Sequence, residues 1–210
     1  MTILFVRFAE LSKAAHQNSV DHGFWDPEPA PFTTRALLHS EVSEALEDLR
    51  AGRPLDKLFY DVGTKTSELH SDGMIPFSVG AKNRPVGKKP NGVPSEIADV
   101  VIRTLDLAGR IGVHYAETVE ADVLAEVEKS YRIPPEGHRE DPVFWLDQLH
   151  MAIQDMDSRD LTAVFNAITG ILFFCEIFAR HVGKFDLLSI VEEKMAYNAS
   201  RPHKHGGKKF

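Results

Sequence analysis

Cysteine is nearly absent. The one present, Cys175, leaves no partner for an intramolecular disulfide and fits a reducing compartment. It lies inside an apolar run, so it reads as a buried thiol rather than a nucleophile. Long hydrophobic runs are also lacking. The strongest, residues 168–178, is too short to span a bilayer and carries Glu176, so no membrane partner is expected. The opening stretch MTILFVRFAELSKAAHQ contains an acid and no small-residue cleavage site, so it does not read as a signal peptide and a cytoplasmic location is expected. Positive charge is in deficit: 24 Lys and Arg against 31 Asp and Glu leave a net charge of −7, which argues against a nucleic acid polymer as partner. Alternating apolar and polar stretches of strand type are scarce.

What remains is helical. With 210 residues, 43% hydrophobic and 26% charged, the chain has the make-up of an ordinary globular protein with a sizeable core. A first helix is expected over residues 7–22, closing near Gly23 before the Pro-rich segment 26–31. A second should start near Thr33 or Thr34, either one a suitable N-cap, and stop at Gly52. Residues 53–94, rich in Gly, Pro, Asn and Lys, form a long loop with a short hairpin around residues 75–79. A third helix opens near Pro94 and runs to Arg110. Further helices are expected over 115–129, 142–156, 160–182 and 186–199, with a break at Pro134-Pro135-Glu136-Gly137. A faint repeat aligns Glu41 and Glu44 with Gln148 and Met151, and Glu96 and Asp99 with Ala167 and Gly170. If it is a true duplication, the second copy has none of the four acids.

Those four acids carry the chemistry. At about 100° per residue, Leu38, Val42, Ala45 and Leu49 make an apolar stripe, and Glu41, Glu44 and Asp48 border it. On the third helix Ile97, Val100, Val101, Ile102, Leu105 and Leu107 leave a narrow polar strip shared by Glu96, Asp99 and Arg103. An isolated E-x-x-E is usually a solvated face. Two acid pairs, each beside a buried stripe, instead call for a common partner. Clustered carboxylates repel, and Mg²⁺, a hard ion that takes oxygen ligands and keeps waters for phosphates, relieves that repulsion. On the last helix Lys194, Asn198 and Arg201 share a face beside Tyr197, a pattern suited to phosphate and sugar or base contacts. The tail His203-Lys204-His205-Gly206-Gly207-Lys208 could wrap backbone N–H groups around an anion. Lys82, Arg84, Lys88 and Lys89 form a basic loop, either a lid over phosphates or a plain insertion.

These motifs resemble the MazG-like members of the all-α NTP pyrophosphohydrolase superfamily. The resemblance rests on Glu41-Val42-Ser43-Glu44, on Pro94-Ser95-Glu96-Ile97-Ala98-Asp99-Val100-Val101-Ile102-Arg103, and on Glu193-Lys194-Met195-Ala196-Tyr197-Asn198 followed by Arg201-Pro202-His203-Lys204-His205-Gly206-Gly207-Lys208. It covers residues 10–52, 88–114 and 184–210. It implies a single all-α domain over 1–210, a helical bundle carrying a long loop at 53–94 and an inserted helical pair within about 115–183. It further implies Mg²⁺-dependent hydrolysis of a nucleoside triphosphate, a deoxynucleotide by preference, to the monophosphate and pyrophosphate, with Mn²⁺ as a substitute ion. Glu41, Glu44, Glu96 and Asp99 would be the metal ligands and catalytic acids. Lys194, Tyr197 and Asn198 would contact substrate, with Arg201 and Lys208 on phosphate and Asn18 and Trp25 near base or sugar. Two departures from the short family members stand out, the long loop between the acid pairs and the inserted helices, which could complete in one chain a bundle that relatives build as a homodimer. The competing readings are a catalytically silent nucleotide- or metal-binding regulatory module and a structural bundle whose acids are solvated.

Overall fold

The computed structural model describes residues 7–61, 73–113, 138, 140–157 and 159–207. The expected helix at 115–129, the Pro134–Gly137 break and Lys208 lie outside them. Helix α1 spans Phe8–Asp21, α2 Pro31–Arg50, α3 Val93–Ile111, α4 Pro142–Gln154, α5 Leu161–Ile177 and α6 Leu187–Ala199. A two-stranded antiparallel ribbon, β1 Lys57–Tyr60 and β2 Ile75–Ser78, is the only sheet among the described residues. The protein is therefore mostly helical.

Helix α3 is the axis of the molecule. Twelve of its residues are buried, from Val93 to Ala108, and it packs against α1, α2, α5, α6 and β1. Helices α4 and α5 pack on each other, α4 also on α2 and α5 also on α3. Helices α4 and α5 thus pack into one bundle with α2 and α3. At the positions aligned with the acids, Met151 is exposed while Ala167 and Gly170 are buried, so this half presents no carboxylate there.

Three expectations shift. Helix α2 begins at Pro31 rather than at Thr33 or Thr34. Its N-cap is Ala30 with no side-chain cap, because proline has the right φ for the first turn and no N–H to satisfy there. The long loop contains two strands, not only the hairpin segment at 75–79. Lys57-Leu58-Phe59-Tyr60 pairs with Ser78-Phe77-Pro76-Ile75, and its last three residues are buried. Lastly, Leu161–Gly183, α5 plus a wide π-type turn over Phe178–Gly183, is long and apolar enough by length and composition to cross a membrane. The apolar run read from the sequence, residues 168–178, is shorter than this helix, which the sequence places at 160–182. Val164, Ala167, Ile168, Ile171, Leu172, Phe174 and Cys175 are buried in the core shared with α3 and α4, and burial pushes the Cys175 thiol well above its usual range.

Side-chain caps fix the starts of α4, α5 and α6: Asp141 accepts from the Val143 N–H at 2.9 Å, Asp160 from the Thr162 N–H at 2.8 Å and Asp186 from the Ser189 N–H at 3.3 Å. At Gly109 a Cβ would stand 2.5 Å from the Ser12 carbonyl oxygen and 2.7 Å from the His16 Cβ. The close crossing of α1 over α3 therefore depends on the missing side chain.

Candidate functional site

One cleft opens beside α3. Glu41, Glu44, Glu96, Asp99, Arg103 and Asp106 line it from α2 and α3, Lys194, Asn198 and Arg201 from the α6 end, and Asn18, Trp25 and Lys89 from elsewhere. Its cavity volume is about 160 Å³. Nine of the sequence-derived site residues line one space, although they come from four stretches of chain. Tyr197 does not line it. That ring is half-buried, with the Arg201 guanidinium 5.8 Å from its centroid.

Carboxylate oxygens of Glu41, Glu44 and Glu96 lie within 4.8 Å of one another. Glu41 and Glu96 are buried, Glu44 exposed. Two oxygens on one Mg²⁺, each about 2.1 Å from it, sit at most about 4.2 Å apart. The observed spread is thus within a small side-chain rotation of a shared ion, and an all-oxygen donor set is what a hard cation takes.

The same packing brings cations that the sequence reading did not pair. Arg103 Nε donates to Glu41 Oε1 at 2.6 Å. Lys194, only 2% exposed, lies with its Nζ 2.8 Å from Asp99 Oδ2, and also donates to Ser95 Oγ and to the Pro90 carbonyl at 3.3 Å. An ammonium has three donors, and those three contacts account for all of them. Lys194 therefore stands in this structure as a buried counter-charge rather than as a free arm. Among the described residues Glu41 and Asp99 are ion-paired and Glu44 and Glu96 are not, while Lys89 and Arg201 also line the cleft.

The electrostatics follow. Burial, aided by Asp99 and Glu41 and opposed by Lys194, pushes Glu96 up to about 8. Burial raises Glu41 as well, with Arg103 pulling it back. Burial alone would lower Lys194, but Asp99, Glu96 and Glu41 together hold it above its ordinary value.

The basic loop is docked. Arg84 pairs with Glu193 of α6, which also accepts from the buried Tyr60 hydroxyl. Phe59 and Asn91 exchange backbone hydrogen bonds at 2.9 and 3.0 Å, which lays the end of the loop beside β1. Of the four basic residues only Lys89 lines the cleft.

The tail departs from expectation. Lys204–Gly207 is a left-handed turn with positive φ throughout, and three of its N–H groups are already engaged. Those of Lys204, His205 and Gly206 donate to the carbonyls of His22, Pro202 and His203. The first ties the turn to the end of α1 and the other two close it on itself, so these three do not cradle an anion.

Asp106 was overlooked in the sequence. It lies seven residues after Asp99 on the same face of α3, and its Oδ1 is 2.8 Å from His16 Nδ1 and accepts from Trp25 Nε1 at 3.0 Å. Periodicity carried one turn further would have found it. Trp25, half-buried, separates the acid cleft from a second groove of about 530 Å³ lined by Phe32, Leu107, Ile111, Leu161 and Val164.

Comparison with protein-family models, with curated proteins and with solved structures returns no match.

Proposed function

We propose that this chain hydrolyses a nucleoside triphosphate, a deoxynucleotide by preference, to the monophosphate and pyrophosphate with Mg²⁺, in the manner of the MazG-like all-α pyrophosphohydrolases it resembles. The observation that supports the reading is the convergence of the Glu41, Glu44 and Glu96 oxygens within 4.8 Å, in a cleft that Lys89 and Arg201 also line. Glu41, Glu44, Glu96 and Asp99 would hold the ion. When bound, Mg²⁺ neutralises phosphate charge and favours attack by a water at the α-phosphorus.

The chain's own groups divide the remaining tasks. Lys194 fixes Asp99 and ties α6 to the Pro90 backbone, so it positions a ligand rather than touching substrate. Arg103 holds Glu41 by one oxygen and leaves the other for the ion. Lys89 and Arg201 line the cleft as phosphate partners, with Asn198 beside them. Glu44 accepts from the Ser40 hydroxyl at 3.3 Å through Oε1, which leaves its second carboxylate oxygen to orient a water and take its proton. Attack breaks the bond from the α-phosphorus to the α–β bridging oxygen, and that oxygen departs with pyrophosphate.

A panel of four ribo- and four deoxynucleoside triphosphates tests the reading. Pyrophosphate release is expected from at least one with Mg²⁺ or Mn²⁺. It should fall at least about 100-fold in Glu41→Gln and Asp99→Asn proteins that still fold. Nucleotide binding without pyrophosphate from any member would make the chain a silent regulatory module.

A further inference from the structure

The polar face of α3 continues beyond the acids. Arg103 and Asp106 follow Asp99 at four and seven residues, about 6 and 10.5 Å along the axis at 1.5 Å per residue. A nucleotide whose phosphates lie at Glu96 and Asp99 and whose length follows the helix therefore carries its sugar and base past Arg103 to Asp106. Asp106 lines the cleft together with Trp25, Asn18, Ser19 and Phe24.

Asp106 is an unusual wall residue. Its side chain is 19% exposed, yet it accepts hydrogen bonds from the Trp25 indole, the His16 imidazole and the Ser19 hydroxyl. A carboxylate accepts about four such bonds, so one acceptor position remains, on a side chain that lines the cleft. Trp25 in turn has open space on two sides, since it lines both the acid cleft and the neighbouring groove. Its indole is held by the bond to Asp106, by the edge of His16 at 5.1 Å and by the Arg110 guanidinium 5.7 Å from its centroid. Packing alone does not set its angle.

We infer that Asp106 is a specificity-determining residue, which fixes the Trp25 indole as the wall of the nucleoside end and accepts one hydrogen bond from an N–H or O–H donor of the nucleoside. The ligand's identity as a nucleotide rests on the proposed function; the donor-reading role is separable from catalysis. A ring or exocyclic N–H of the base and the 2′-hydroxyl of the sugar share that donor chemistry, and the test distinguishes them.

The experiment is equilibrium binding of the full chain, by calorimetry with Mg²⁺, to α,β-methylene analogues of the eight nucleotides, whose scissile bridge is carbon. Asp106→Asn keeps a carbonyl oxygen for Trp25 and His16 but offers an amide N–H where the free lone pair was. Nucleotides that present a donor should lose about tenfold in affinity, and those that present an acceptor should hold or gain, so the ranking changes. A loss that tracks the base assigns the donor to the base, and one that tracks the 2′-hydroxyl assigns it to the sugar. Trp25→Phe, lacking only the indole donor and ring size, should weaken all eight alike. An equal loss across the panel in Asp106→Asn, no loss, or no binding by the unaltered chain overturns the inference. Re-ranked binding without pyrophosphate release from native nucleotides would leave it standing while the hydrolytic reading fails, and pyrophosphate release with unchanged ranking would do the reverse.

Discussion

Replacing Lys194 by methionine removes the buried positive charge while keeping most of the aliphatic stem. Lys194 is 2% exposed and Asp99 19%, at 2.8 Å, so neither charge is well solvated and little of their attraction is screened. Removing one partner of a buried pair costs about 3–5 kcal/mol, most of it from stranding the other charge. Partial access of water to Asp99 places this case near the lower end, at about 3 kcal/mol. The Pro90 carbonyl and Ser95 hydroxyl lose a donor at the same time. Urea denaturation followed by far-ultraviolet dichroism in EDTA measures the loss. The double variant with Asp99→Asn should recover about half of it, since the stranded charge is then gone. Added Mg²⁺ should stabilise Lys194→Met more than the unaltered protein, because the ion replaces a charge the variant lacks. A Lys194→Met protein within about 0.5 kcal/mol of the original, the range of ordinary surface changes, would refute the account of Lys194 as a counter-charge.

Two further outcomes follow from the same geometry. Glu96, held near 8 chiefly by burial, binds its proton more tightly folded than unfolded. The contribution of Glu96 to the metal-free fold should then be greatest below the ordinary glutamate range and be lost as pH rises toward 8. Mg²⁺ displaces that proton, so the gap in melting temperature between Mg²⁺ and EDTA should widen from about pH 6 to about pH 8; a gap that narrows would contradict the assignment of Glu96 as a ligand. Gly109→Ala would drive a methyl into the Ser12 carbonyl and His16 Cβ, both on α1. Helix propensity gains up to ~1 kcal/mol, but forced separation of α1 from α3 should leave a net loss of about 1–2 kcal/mol in urea melts, and a more stable variant would show that the crossing is looser than described.

Local pattern determined a good deal. The 3.6-residue recurrence of Leu38, Val42 and Ala45, and of Ile97, Val101 and Leu105, located α2 and α3 and set both acid pairs at the edge of buried faces. The end of α2 followed from Gly52 and the start of α3 from Pro94, since such signals involve only the few residues around each end. What lay beyond reach depends on partners far apart in the chain. Lys194 has a phosphate-binding pattern when read alone, and only the approach of α6 to α3 and the Pro90 segment engages its donors within the protein. Arg103 is a polar-strip residue until α2 brings Glu41 to it, 62 positions away. Asp106 acquires its partners from α1 and the loop after it, through a crossing that Gly109 allows. The β1 strand escaped notice because three consecutive buried residues carry no alternation. Periodicity reports which side of a helix faces inward; which charges meet there is decided by how the helices cross.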